Sequence, residues 1–447
     1  AIYPLKQSGA RAAEIMDRAS LRSVESVPGA PELLRQLPDS AAAILVEYQA
    51  ETSEEILHFQ KQCARTLHDL HLLHEAEFTD DPLRQALLWK LRKGIIPSVG
   101  AMRPPGTVLL TEDVVFPVER LAEAITDLQN LFDKHDYPEG CAFGHAKDGN
   151  LHFLIAQSFD TESEIRRFDS FMNDLVKVVC DKYDGALKAE HGAGRNTAPF
   201  VEREWGTAAY GIMRDLKALL DPDNMLNPGV VINPDPQAHI THVKSMAKVA
   251  PQVDKCIECG FCESKCPSRR LTLSPRQRIV VQREISRLRE LESTTATSYS
   301  ELIASLAADF QYAGVDTCAA DGLCATACPV GINTGELTKQ FRAQSHSSPS
   351  ERTAVWIANH FEWVERATGW AVRAGHGLEN LEPRGRDGVK GHGSFLASSI
   401  KAAEKISGLT LPKWNTAIPY PSRFTSTASE RGEEQFIYFP SCISRQL

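Results

Sequence analysis

No apolar run in the chain reaches the roughly 18 residues that a membrane-spanning helix needs. No glycine cluster forms a pyrophosphate loop either, because Gly192-Ala-Gly194 follows no long strand of a Rossmann unit. Positive charge is not in excess. With 49 Lys and Arg against 58 Asp and Glu, the formal charge is -9, which argues against nucleic acid or anionic membrane as the main partner. What is present is ordinary for a globular chain: 42% hydrophobic and 24% charged residues, and a length of 447 that predicts two or three domains. Residues 11–18 read as helix at one end, and Gln435-Phe-Ile-Tyr-Phe439 reads as a strand entering a domain that is not completed. The expectation is an internal fragment of a longer polypeptide.

Seven of the 11 cysteines crowd into residues 256–328. Clustered C-x2-C spacings in a long acidic chain point to metal or cluster binding in a reducing compartment, since disulfide scaffolds are short and secreted. Cys256, Cys259, Cys262 and Cys266-Pro267 form C-x2-C-x2-C-x3-C-P in full. That run turns three thiolates to one iron–sulfur cluster and the fourth to a neighbouring cluster, whereas zinc would predict two C-x2-C pairs. Cys318, Cys324 and Cys328-Pro329 repeat the motif without a second cysteine, and Asp321 stands in its slot. Exchanged fourth cysteines then assign Cys256, Cys259, Cys262 and Cys328 to cluster I, and Cys318, Cys324 and Cys266 to cluster II. Scattered Cys63, Cys141 and Cys180 read as buried spare thiols.

Strand and helix patterns alternate over residues 1–235: strand 43–48, helix 53–67, strand 108–116, helix 117–132, strand 151–156, helix 163–183. They predict an α+β layer with helices on one face of a sheet. A polar linker at 236–252 leads to an all-α cysteine-rich domain at 253–345. Its motifs are joined by a helical hairpin that opens on Ser274-Pro275 with Gln277 placed for a capping box. One amphipathic helix at 350–373 begins a helix-and-linker region over 346–433.

In Gly144-His-Ala-Lys-Asp-Gly-Asn-Leu-His-Phe153 two histidines flank a Gly-containing turn, and a tight hairpin can bring both imidazoles to one ion. Spacing alone leaves metal binding and simple packing both open. Further on stand Lys188-Ala-Glu-His-Gly-Ala-Gly194 and Asp221-Pro-Asp-Asn-Met-Leu-Asn-Pro-Gly229.

These stretches resemble the C-terminal substrate (cap) domain of FAD-linked D-2-hydroxy-acid dehydrogenases, whose signatures G-H-x-x-D-G-N-L-H, E-H-G-x-G and D-P-x-x-x-L-N-P-G occur here in order; Pro117-Val-Glu-Arg-Leu121 also matches. The resemblance covers residues 1–235 and implies ferredoxin-like sheets with helices. The cysteine region resembles the iron–sulfur subunits of succinate dehydrogenase and fumarate reductase, in which C-x5-C-x3-C-P surrounds a three-iron cluster. Cluster I is then 4Fe-4S. Cluster II is 3Fe-4S or 4Fe-4S, with Asp321 either a weak iron ligand or a turn residue before Gly322. Tyr438-Phe-Pro-Ser-Cys442 resembles the opening of the cysteine-rich domain that follows in such fusions, so 434–447 is expected to begin a truncated copy.

The resemblance implies roles residue by residue. His145, His152 and Glu190 would bind zinc or manganese. His191 would be the general base. Arg92 in Trp89-Lys-Leu-Arg-Lys93 would clamp the substrate carboxylate. Two departures stand out: Lys147 replaces a common glycine, and Leu154 replaces the substrate-binding asparagine of D-2-hydroxyglutarate dehydrogenases. Lys147, or Arg103 in Met102-Arg-Pro-Pro105, is therefore expected at a distal carboxylate or the pocket rim. FAD would be held mostly by a domain preceding Ala1, so this chain alone should not turn over. Expected partners are a small 2-hydroxy acid such as D-lactate or D-2-hydroxyglutarate, a downstream electron acceptor, the missing FAD and cysteine-rich domains, and a second copy of the chain. The expected place is cytoplasmic, peripherally at the inner face of the membrane. A purely electron-carrying or scaffold subunit is the rival reading, and a metal-dependent C–C hydrolase or lyase a third.

Overall fold

The computed structural model describes residues 2–68, 70, 72–381, 395–407 and 410; the strand expected at 435–439 and the segment 434–447 lie outside them. Two compact units result, Ala1–Arg342 and Ala343–Leu447. The first holds one five-stranded antiparallel sheet made of β1 (Ala12–Asp17), β2 (Ala42–Glu47), β3 (Val108–Val115), β4 (Cys141–His145) and β5 (Asn150–Gln157), in the order β2-β1-β4-β5-β3.

Two readings from the sequence need correction here. Residues 12–17 form a strand and not a helix: Ala, Glu and Met favour helix in isolation, but β1 lies between β2 and β4 and bonds to both. Helices cover both faces of the sheet, not one. Because side chains alternate along a strand, Ile15, Ala142, Phe153 and Ile155 face the Leu121–Lys134 and Glu162–Val176 helices. Met16, Phe143 and Leu154 face the Arg18–Val24, Pro82–Lys93 and Ile95–Met102 helices. β4 and β5 are thus buried on both sides and read as continuous apolar runs, without the polar alternation of a half-solvated strand. Cys63 and Cys141 are buried and Cys180 half-buried, as spare thiols should be.

Beyond the sheet, Ser274 caps the Pro275–Thr294 helix in a reciprocal capping box with Gln277, and the Ser300–Phe310 helix completes the hairpin. The expected single helix at 350–373 is two, Ser348–Asn359 and Phe361–Leu381, which meet at His360. Among the described residues no helix is long and apolar enough to cross a membrane.

Arg103 joins the sheet region to the first cysteine loop. Its Nε donates to Thr107 O at 2.9 Å, Nη1 to Gly100 O at 2.6 Å and Lys255 O at 3.0 Å, and Nη2 to Asp254 O at 3.1 Å and Cys256 O at 2.9 Å. All five guanidinium N–H groups are engaged. Beside it Gly100 leaves room for the loop, since a Cβ there would lie 2.6 Å from Ile257 Cγ2. Arg103→Ala removes five bonds to carbonyls, three of them in the cysteine loop, where Arg283 reaches only two of the three, and we expect a loss of about 2–4 kcal/mol of stability. Thermal unfolding together with amide exchange over residues 254–258 measures it; unchanged exchange there would contradict the clasp.

Candidate functional site

The sheet register brings four titratable side chains to one face. Glu14 on β1 lies opposite His145 on β4, and His152 on β5 lies opposite Asp113 on β3. Directly opposed residues of an antiparallel pair share a face, and this is the face that carries Met16, Phe143 and Leu154. The turn between the histidines closes at Gly149, whose φ of 72° suits glycine, and a Cβ there would run into the Phe116 carbonyl.

His145 and His152 converge on one oxygen. Their Nε2 atoms lie 3.3 and 3.1 Å from Glu190 Oε1, with the rings nearly perpendicular at 88°. Donors held about 2.1 Å from an ion stand roughly 3.0–3.5 Å apart in octahedral or tetrahedral geometry, so two imidazoles and a carboxylate at this spacing fit zinc or manganese. A second set of three, Asp113, His152 and His191, overlaps the first at His152. Burial, then repulsion from His145 and His191, pushes His152 down to about 4, so its ring is neutral with a lone pair at neutral pH.

Glu14 orients this group. Its Oε1 takes His145 Nδ1 at 2.7 Å, which leaves Nε2 for the centre, and its Oε2 takes Arg92 Nε at 3.0 Å and Nη2 at 2.8 Å. Burial opposes ionisation of Glu14, but His145 and Arg92 outweigh it and hold the carboxyl below its usual range. The Glu14 hydrogen bond in turn raises His145. Arg92 is buried with its guanidinium over the Phe143 ring at 4.7 Å, so it is not a helix-surface charge.

Asp113 organises the loop that carries Glu190 and His191. It is fully buried, and its Oδ2 accepts the backbone N–H groups of Ala189, Glu190 and His191 at 3.0, 2.7 and 3.2 Å. Its other oxygen has no hydrogen bond and faces His191 Nδ1 at 3.4 Å, while the His191 ring stacks on His152 at 5.0 Å. Lys188 and Asn196 both bond to Glu112, the neighbour of Asp113. Glu14, Glu112 and Asp113 were missed in the sequence. The signal was carboxylates set inside otherwise apolar strands, Ala12-Ala-Glu-Ile-Met16 and Thr111-Glu-Asp-Val-Val115.

Two expected contacts are not in this group. Arg103 is corrected outright: all its donors are on carbonyls of its own turn and the cysteine loop, so none is left for a substrate. Lys147 sits in the turn after His145 with its ammonium 3.3 Å from the Arg11 carbonyl. Leu154 is sealed in the core.

The two cysteine loops trace the same backbone. Glu258 and Ala320 are left-handed at φ 59° and 51°, and Gly260 and Gly322 at 84° and 76°, each two residues further on. Asp321 therefore occupies the place of Cys259. Cys328 lies beside Cys256 and Cys262, while Cys266, Cys318, Cys324 and Asp321 line one cavity. Two thiol sets divided in this way fit two clusters. Asp321 Oδ1 accepts Leu323 N at 3.0 Å, which is turn chemistry for one of its oxygens.

With this geometry in place, the family model described as FAD linked oxidases, C-terminal domain, matches residues 2–231, about half of the chain. The chain belongs to the FAD-linked oxidases. Its cysteine region matches the 4Fe-4S dicluster domain over residues 252–332. Among relatives, a mitochondrial D-lactate dehydrogenase [cytochrome] of Arabidopsis thaliana is 29% identical over 226 residues, 49% of this chain and 37% of its own length. D-2-hydroxyglutarate dehydrogenases of Haemophilus influenzae and Escherichia coli are 26% and 28% identical over 308 and 296 residues, 59% and 56% of this chain and 29% and 28% of theirs. The chain spans well under half the length of each.

His152→Ala should abolish tight zinc or manganese binding by the metal-free chain, and Glu14→Gln should weaken it about 10–100-fold. Competition titration with a chromophoric chelator reads both. Wild-type affinity in His152→Ala would remove the site.

Proposed function

We propose that this chain is the substrate-binding and electron-exit part of a flavin-dependent dehydrogenase that oxidises a D-2-hydroxy acid to the 2-oxo acid. The convergence of His145 and His152 on Glu190, beside His191 and Arg92, carries the proposal. A carrier or scaffold has no use for such a group. The relatives of Haemophilus influenzae and Escherichia coli align over more of this chain than the oxidase domain covers, and both are named D-2-hydroxyglutarate dehydrogenases, which favours a dicarboxylic substrate over lactate.

A divalent ion held by His145, His152 and Glu190 would lower the pKa of the substrate 2-hydroxyl, and FAD held by a separate domain would take the C2 hydride. The rest falls to this chain's own side chains. Arg92 grips Glu14 through Nε and Nη2, and its Nη1 is the edge left for the substrate carboxylate. Asp113 Oδ1 faces His191 Nδ1 at 3.4 Å, which leaves Nε2 as the nitrogen to receive the hydroxyl proton. The cysteines of residues 256–328 would hold clusters able to carry electrons onward one at a time, and Asp321 would have its second oxygen available as a weak fourth ligand. Of the two cations expected at a distal carboxylate, only Lys147 remains, two residues past His145 and held by a single bond.

A substrate panel on the full-length protein with an artificial acceptor tests the proposal. D-2-hydroxy acids should turn over, and His191→Ala should lower kcat/KM by about 10²–10⁴-fold. Unchanged activity in His152→Ala would favour the carrier reading. Lys147→Ala should lower the ratio of kcat/KM for 2-hydroxyglutarate over lactate; an unchanged ratio would remove Lys147 from substrate recognition.

A further inference from the structure

We propose that Arg278 sets the reduction potential of cluster II and makes it the downhill station of the relay. This rests on the reading that Cys266, Cys318 and Cys324 hold that cluster. Arg278 lies in the first turn of the Pro275–Thr294 helix and is 2% exposed. Its Nε donates to Gly314 O at 2.7 Å and its Nη2 to Ser268 Oγ at 2.8 Å, while its Nη1 lies 3.6 Å from Cys266 Sγ. Ser268 Oγ lies 3.2 Å from the same sulfur and 3.2 Å from the Leu273 carbonyl, and a thiolate at Cys266 is the stronger acceptor for its single proton. Among the described residues no carboxylate pairs with Arg278. A buried guanidinium without an anion is costly, and the Cys266 thiolate is the negative group that its Nη1 reaches at hydrogen-bond distance. The cavity lined by Arg278, Cys266, Cys318 and Cys324 is thus built around a negative charge.

Cluster I differs. Arg103 and Arg283 converge on the loop of Cys256, but they donate to its carbonyl oxygen; its sulfur receives the Glu258 N–H at 3.4 Å and the Cys262 sulfur the Arg276 N–H, and among the described residues no guanidinium donates to a cluster I sulfur. A cation and two hydrogen-bond donors aimed at a cluster sulfur stabilise the reduced, more negative cluster and raise its potential. The loop of cluster I is the one clasped to the sheet region by Arg103, with Ile257 seated on Gly100. An electron arriving from the substrate side therefore meets cluster I first. In the transfer to cluster II, cluster I is oxidised and cluster II reduced by one electron, with no proton or co-reactant involved.

EPR-monitored redox titration of the full-length protein tests this. Arg278→Gln should shift the cluster II midpoint to lower potential and leave cluster I unmoved. Ser268→Ala should give a smaller shift in the same direction, and Arg278→Lys should recover part of the loss. Two clusters with wild-type iron content and unmoved midpoints in both Arg278→Gln and Ser268→Ala would overturn the proposal, as would a shift of cluster I in place of cluster II. If Arg278→Gln fails to retain cluster II, Ser268→Ala decides alone, and an unmoved midpoint there overturns it. A wild-type protein with one cluster would instead defeat the ligand reading on which the proposal rests.

Discussion

Asp113 is a carboxylate with no solvent exposure, held in the middle of a sheet, and three consecutive backbone N–H groups close on one of its oxygens. Charge-assisted bonds of this kind are stronger than neutral ones, and burial raises the cost of leaving any of them unmade. The loop after Leu187 has no regular secondary structure to shape it. Its course, and hence where Glu190 and His191 point, follows from this one acceptor. The opposite oxygen of Asp113 faces the His191 ring, so one residue both bends the loop and orients its histidine.

Around that fixed point the sheet divides the work by parity. One face of β4 and β5 packs aromatic side chains against two helices. The other carries Glu14, His145, His152 and Asp113 in register, with Arg92 coming down from the helix above. The face with the chemistry is covered by three helices, and that cover brings Gly100 and Arg103 to its margin. The same helices that wall the site thus hold the first cysteine loop. The sheet region and the cysteine region fall in one compact unit, joined by the Arg103 guanidinium and by Ile257 seated on Gly100.

Much of this was legible before folding. The cysteine spacings, the capping box of Ser274 and Gln277 and the two histidines flanking a glycine turn are local patterns, and local patterns survive in a sequence. What was hidden is nonlocal. β1 looked helical because Ala, Glu and Met favour helix until two neighbouring strands claim the segment. Glu14 and Asp113 look like any surface carboxylate until the sheet register buries them. Arg103 looked like a pocket cation because the cysteine loop whose carbonyls it binds lies some 150 residues further along the chain. The equivalence of Asp321 and Cys259 was read from spacing, and the matching left-handed residues of the two loops give it a backbone basis.

The central claim, that Asp113 shapes the site, is tested most directly by Asp113→Ala. Zinc titration of the metal-free chain is combined with hydrogen exchange of the amides of residues 189–191. Faster exchange at these amides and at least a tenfold loss of zinc affinity, with the sheet intact by circular dichroism, is the predicted result. A folded variant that keeps wild-type exchange and wild-type zinc affinity would contradict the account.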